Sequence, residues 1–337
     1  MSAEQTAAPR GFEAASGSRG RRFVSSLLST GTIFVILFVL LAWIAVLNPN
    51  FLEPGPFLAY LKRAAPLVIL AAGAYFVLVS GNFDLSVGSL VTVVVVVAAR
   101  VSDGEPGRTW PVILLLLGIG AAVGVFNGVV STVLRVPSFI TTLGTLLILE
   151  GAVFLWTGGA PTGALADNFR SIGREGIEGI PAIEQLPWSV LLLVAIGGAS
   201  VMLMRSDFGR QLIATGDNDR AARLSGVRVD VVRILAFVLS GVLAAVAGIL
   251  LAGFAGVSAQ VGQGLEFDAI TAAVLGGVVL GGGRGSVVAA MAGALTLEAL
   301  FTWLNLQGIS GALEDTVQGV IIIAAVAFAA YRLRGAR

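Results

Sequence analysis

The sequence predicts an all-α integral membrane protein of about ten transmembrane helices, and three observations predict it. Apolar residues make up 56% of the 337 and charged residues only 12%, about half the charged share of a soluble domain. Mean hydropathy is +0.94. Largely uncharged stretches near the roughly 20 residues needed to cross a bilayer recur along the whole chain, and the basic residues fall in the gaps between them.

Residues 1–22 are small, polar and Arg-tipped, without an apolar core. They read as a disordered cytoplasmic tail ahead of a start-transfer helix rather than a cleaved leader. Residues 23–337 read as one transmembrane domain, with spans expected at 24–47, 64–81, 85–101, 110–134, 138–158, 187–204, 234–256, 268–281, 286–306 and 315–332. With both termini inside, 15 of the 21 Lys and Arg lie on the cytoplasmic side and 6 outside. That is the bias topology requires, because basic loops resist translocation.

Two of these spans are short. Residues 85–101 and 268–281 cover only about 21–26 Å at 1.5 Å per residue, against roughly 30 Å of hydrocarbon. Each follows a similar interruption, Gly81-Asn82-Phe83-Asp84-Leu85 and Gly264-Leu265-Glu266-Phe267-Asp268, the first cytoplasmic and the second external. The pattern suggests two five-helix halves of opposite orientation with helices broken at corresponding points. The alternative is that Asp84 and Asp268 cap two unrelated helices. Glycine ladders at Gly120, Gly124 and Gly128, and at Gly277 and Gly281, predict close helix packing. The run Gly281-Gly282-Gly283-Arg284-Gly285 reads as a sharp cytoplasmic turn.

Composition also excludes chemistry. The chain has no cysteine and no histidine, and its single lysine, Lys62, follows no Gly-rich run. Disulfides, Cys/His metal sites and histidine acid–base catalysis are therefore absent, and the Gly-Lys-Ser/Thr phosphate loop is missing. Any ATP-driven step needs another polypeptide.

The most informative segment is the Arg/Asp-rich loop 206–233. Its middle predicts a short helix over Asp217–Leu224, with Asp217 or Asp219 as the cap, Ala221 and Ala222 in the body and Gly226 at the left-handed stop. A folded helix offered to the cytosol by a membrane protein has something to hold. The external loop 159–186 is read as a turn-rich connector or part of a seat for an external partner.

Several segments, in order, resemble a known family. They are Asn82-Phe83-Asp84-Leu85-Ser86-Val87-Gly88-Ser89, Asn127-Gly128, the stretch Arg135 to Gly144, Phe208-Gly209-Arg210-Gln211-Leu212 with Ala221-Ala222 and Ser225-Gly226, Ala272 to Gly277 with Gly281 to Ser286, and Asn305-Leu306 with Gln318-Gly319. Together they cover roughly 30–332 and are similar to the permease subunits of ribose-, galactose- and xylose-type ABC importers, distant relatives of branched-chain amino-acid permeases. The sequence departs from that pattern at Glu150, Glu298, Trp303 and Gly311 to Asp315, mostly near the translocation-side helices.

The resemblance implies a homodimer of this permease in a bacterial inner membrane, cytoplasmic ATPase subunits that bind the ATP and Mg, and an external sugar-binding protein. No cofactor is implied for this chain. The coupling set is Gly209, Arg210, Asp217, Asn218, Arg220, Ala221, Ala222, Arg223, Ser225 and Gly226, with Arg210, Arg220 and Arg223 steering acidic partner residues. Candidates for the translocation path are Asn82, Phe83, Asp84, Ser86, Asn127, Glu298 and Asn305, with Glu150, Thr141, Thr142 and Phe267 beside them. A charged group in the hydrocarbon layer costs about 2.5–3.5 kcal/mol on the insertion scale, so Glu298 should face a wet interior. Asp84 and Ser86 can instead serve the broken helix itself, satisfying freed backbone groups. Two other classes stay open: an ion-coupled secondary transporter with an Asp84–Glu298 proton relay, and a channel or structural membrane protein.

Overall fold

The computed structural model describes residues 17–181 and 183–309, with side chains from residue 31 onward, and scattered positions between 313 and 323. Most of the expected tenth span 315–332 and most of the tail 1–22 lie outside the described residues.

Twelve α-helices follow in order among the described residues: α1 Gly17–Leu47, α2 Pro54–Val79, α3 Val87–Ser102, α4 Thr109–Thr132, α5 Ser138–Thr157, α6 Asp167–Arg174, α7 Trp188–Arg205, α8 Asp207–Asp217, α9 Asp219–Leu224, α10 Val229–Ala255, α11 Leu265–Leu275 and α12 Val287–Leu306. Six segments are long and apolar enough to cross a membrane, those containing α2, α4, α5, α7, α10 and α12, and α1 and α3 contribute shorter apolar stretches. Each of the first nine expected spans has a helical counterpart. The protein is multi-pass.

α2 is the axis of the packing. From Ala64 to Val79 every residue is buried, because Ala64, Ala65, Ala71, Ala72, Gly73 and Ala74 let neighbours approach from all sides. α10 crosses α4 along the expected glycine ladder: a methyl placed on Gly124 would fall 2.6 Å from the Val238 Cα, and one on Gly128 would fall 2.8 Å from the Ile234 Cα. α12 packs on α2 and α1 around Ile44, Phe51, Tyr60 and Ala299, and the Tyr60 hydroxyl donates to the Leu295 carbonyl at 2.5 Å. The outer helices differ in kind. Leu155 of α5 is 89% exposed and Met202 of α7 is 74% exposed, as helices facing lipid should be.

Three expectations need correction. The fold is not wholly α: β1 Gly176–Ile180 and β2 Ile183–Pro187 form an antiparallel hairpin between α6 and α7. Pairing of Gly176 with Pro187 and Ile180 with Ile183 satisfies backbone groups that a plain connector would leave to water. The expected span 268–281 is the eleven-residue helix α11, about 16 Å long, so the second glycine ladder is not helical. Gly277, Gly282, Gly283 and Gly285 instead make a turn between α11 and α12, all with positive φ. Asp268 lies in the first turn of α11, whose N-cap position is Gly264, so Asp268 is not the cap.

Segments expected on one side of the membrane meet each other. At one end Phe83 N–H donates to Ser138 Oγ at 3.1 Å, and Gly283 N–H donates to the Val79 carbonyl at 2.9 Å. At the other end Arg100 reaches Thr162 at 3.0 Å, Asn168 reaches the Pro106 carbonyl at 2.9 Å, and Lys62 reaches the Arg174 carbonyl at 2.5 Å.

Candidate functional site

The break between α2 and α3 holds a closed polar network. Asp84 Oδ1 accepts from the Ser86 N–H at 3.1 Å and the Ser86 hydroxyl at 2.6 Å. Asp84 Oδ2 accepts from the Ser240 hydroxyl of α10 at 2.9 Å. Asn127 of α4 donates to Ser86 Oγ at 2.8 Å, and Thr145 of α5 donates to Asn127 Oδ1 at 2.6 Å. Thr142 donates to the Phe83 carbonyl at 3.4 Å and to the Ser138 carbonyl at 2.8 Å. Asp84, Ser86, Asn127 and Thr145 are all buried. Helices α4, α5 and α10 thus clasp the non-helical segment between α2 and α3, which is what broken backbone in a membrane requires.

Asn82 and Phe83 are half-buried at the mouth of this break, where Asn82 donates to Ser80 Oγ at 2.9 Å. The sequence-predicted cluster Asn82, Phe83, Asp84, Ser86 and Asn127 is therefore one assembly. Glu298 and Asn305 are not part of it. Glu298 sits 3.8 Å from the Arg63 Nε, and Arg63 also reaches Thr302 of α12 at 3.5 Å. Arg63 and Val79 stand about 24 Å apart along α2, so Asp84 and Glu298 lie near opposite ends of that helix and form no direct pair. Asn305 donates to the Phe301 carbonyl at 3.0 Å at the exposed end of α12.

The second break, between α10 and α11, folds inward onto the first turns of α3. Gly262 N–H donates to Thr92 Oγ1 at 3.0 Å, five residues into α3. A methyl on Gly262 would fall 2.9 Å from the Gly88 carbonyl carbon. Glu266 is 6% exposed, and a methyl on Gly88 would lie 3.2 Å from its carboxyl carbon. The Glu266 carboxylate therefore occupies the space left by the missing side chain of Gly88. An open cleft of about 280 Å³ is lined by Phe154, Gly159, Pro161, Val257, Ser258, Ala259 and Gln260.

Sequence reasoning missed Ser240, Thr145, Thr92 and Glu266. Each is contributed by a helix remote in sequence, and a lone hydroxyl in an apolar run carries no signal. Glu266 was visible as an acid beside a break, though its contact with Gly88 was not.

The loop 206–233 holds two helices rather than one. Asn218, not Asp217 or Asp219, is the cap of α9: its side chain accepts the Ala221 N–H at 3.0 Å. Asp217 ends α8 and Asp219 starts α9, so neither can reach the orphan amides in cap geometry. The stop is as expected, with Gly226 at φ 85° and Val227 N–H donating to the Ala222 carbonyl at 3.0 Å. The Ser225 hydroxyl donates to the Ala221 carbonyl at 3.0 Å, and Gly209 packs against the Met204 backbone. Arg223 makes a two-pronged pair with Asp230, one contact at 3.1 Å, Arg233 lies 3.5 Å from Asp219, and Arg210 pairs with Asp207. Arg210 and Arg223 are thus engaged within the loop, not held free for a partner. Ala222 is buried while Arg220 and Ala221 are exposed and Leu224 is 86% exposed. The loop is a folded knob with its own cap and ion pairs.

Comparison with known proteins agrees with this architecture. Residues 57–326 match the family described as branched-chain amino acid transport system / permease component. The chain is 34% identical over 299 residues to the autoinducer 2 import system permease protein LsrC of Yersinia enterocolitica, covering 88% of this chain and 81% of that one. It is 35% identical to the protein of the same name in Yersinia pestis and in Yersinia pseudotuberculosis, with 88% and 84% covered in each case. No solved structure matches. With most of its length matched, the chain belongs to the permease-component family of the branched-chain amino acid transport systems, as a transport subunit and not an enzyme.

Proposed function

We propose that this chain forms the translocation path of an ATP-driven importer for a small polar solute of monosaccharide type. Two copies assemble in a bacterial inner membrane, both termini face the cytoplasm, and the two halves are related as an inverted five-plus-five repeat. ATPase subunits dock on the cytoplasmic loop 206–233, and an external binding protein delivers the solute over the loop 159–186. The observation that carries this reading is α9, a capped and exposed helix braced by Arg223–Asp230 in a chain that lacks a nucleotide-binding loop. The exposed Leu224 and Arg220 supply an apolar anchor and a cation for a partner groove.

Along the path, Asp84, Ser86 and Asn127 hold the broken segment in shape. Asn82 and Phe83 present an amide and a ring face, and Glu298 and Asn305 present acceptors toward the opposite end of the membrane. The named relatives import autoinducer 2, which makes it the first solute to try.

The test is reconstitution with the ATPase and binding protein encoded beside this chain, followed by uptake of radiolabelled autoinducer 2, pentoses and hexoses. Co-purification of the ATPase, block of uptake by vanadate and indifference to an uncoupler are expected. Uptake that persists without ATPase and collapses with the uncoupler would establish the ion-coupled alternative instead.

A further inference from the structure

The C-terminal end of α8 does not hang free in the cytoplasm. It is wedged, backbone against backbone, between the start of the first break and the turn that follows α11. A methyl placed on Gly216 would fall 2.5 Å from the Gly283 amide nitrogen and 3.0 Å from the Val79 carbonyl carbon. One on Gly282 would fall 2.9 Å from both the Gly216 oxygen and the Gly81 Cα, and one on Gly283 would fall 2.7 Å from the Asp217 Cα. The Gly283 N–H closes the contact by donating to the Val79 carbonyl at 2.9 Å. Three segments remote in sequence thus meet at one point with no side chains between them. Gly283 is at φ 72°, a conformation that other residues adopt only with strain.

We infer that Gly81, Gly216, Gly282 and Gly283 form a joint that makes both broken helices move together when the coupling loop is displaced. The inference rests on the proposed docking of an ATPase at α9, and it adds where the force goes. Asp217, the last residue of α8, is separated from α9 only by the cap Asn218, so displacement of α9 loads the joint directly. From the joint, Val79 and Gly81 lead into the Asp84 segment before α3, and Gly282 and Gly283 lead back through the turn into α11. Packed backbones without compressible side chains between them transmit a shift rather than absorb it. The four glycines act as positioning residues that set the relation between the coupling loop and the two half-helices.

The test uses the complete complex in lipid nanodiscs and proteoliposomes. Gly216→Ala places a better helix former inside α8, so a defect arises from the joint and not from the helix. Gly198→Ala in α7, where nothing lies within 4 Å, is the control. Gly216→Ala should keep the ATPase bound and hydrolysing but lower solute taken up per ATP at least tenfold, while Gly198→Ala stays within twofold of wild type. Uptake per ATP within twofold of wild type in Gly216→Ala would overturn the joint, as would loss of uptake only through loss of the ATPase. Hydrogen exchange on the wild-type complex, vanadate-trapped against nucleotide-free, tests it without any variant. Exchange should change in both 79–86 and 276–286. A change confined to 206–233, or reaching only one break, contradicts the inference. Failure of the wild-type chain to bind the ATPase at all would instead remove the docking reading beneath it.

Discussion

The Ser240 hydroxyl donates to Asp84 Oδ2 at 2.9 Å and so fastens the middle of α10 to the break between α2 and α3. Removing either partner leaves a buried polar group unsatisfied, at about 1–3 kcal/mol for each group orphaned. Ser240→Ala should therefore destabilise the protein by about 1–2 kcal/mol and Asp84→Ala by about 2–4 kcal/mol, since Ser86 loses its acceptor too. The double variant should fall short of the sum, because the two share one contact. Thermal melting in mild detergent reads all three.

Asn127 bridges Ser86 and Thr145 across three helices. Asn127→Leu keeps the branched outline but removes the donor to Ser86 Oγ and the acceptor of Thr145, leaving these hydroxyls only Asp84 and the Thr141 carbonyl, and should cost about 2–3 kcal/mol. Thr145→Val, which removes one donor and leaves Asn127 Oδ1 open, should cost about half as much. The ratio of the two melting shifts checks that Asn127 is the hub.

The α4–α10 crossing has no room for side chains at its glycines. Gly124→Val drives atoms into the α10 backbone and should cost about 1–3 kcal/mol or block folding altogether. Gly118→Val, on the same helix with nothing within 4 Å, should leave yield and melting unchanged. Comparing membrane-inserted yield and melting of the two variants reads the effect.

Arg63 and Glu298 are 57% and 21% exposed at the side chain, so their pairing contributes little to stability, less than about 1 kcal/mol. A double-mutant cycle on Arg63→Gln and Glu298→Gln should give a coupling energy within that bound. Glu298→Gln should nevertheless reduce uptake several-fold, because its carboxylate is placed on the proposed path. Uptake equal to wild type would remove Glu298 from that path.

Much of the fold was legible in the sequence because the bilayer imposes it. Length, apolarity and arginine placement locate α4, α5, α7, α10 and α12 within about five residues, while α2 begins ten residues before its expected span. The first helix break was legible from Asn82 to Ser86, since polar groups in a membrane span need a reason, whereas the second lies at 256–264, ahead of the expected Gly264 to Asp268, which is mostly the first turn of α11. The hairpin β1–β2 was not, because Gly176–Pro187 has no alternating apolar face. The cap of α9 was misplaced by one residue, a choice among Asp217, Asn218 and Asp219 that spacing alone does not make. Within the site, Asp84, Ser86 and Asn127 stood out as polar residues in apolar runs. Ser240, Thr145 and Gly262 became visible only once tertiary packing brought them to those residues.

Asn218 holds α9 in shape through the 3.0 Å bond from Ala221 N–H. Asn218→Ala should cost about 0.5–2 kcal/mol of local stability and weaken co-purification of the ATPase, whereas Asn218→Asp should preserve both. Pull-down of the ATPase at rising salt separates the two variants.

Because the chain contains no cysteine, a single Leu224→Cys reports directly on where α9 lies and what covers it. With a membrane-impermeant maleimide, the account predicts no labelling in intact cells, full labelling in inside-out vesicles stripped of ATPase, and protection when the ATPase is added back. Labelling in intact cells, or equal labelling of inside-out vesicles with and without the ATPase, would contradict it.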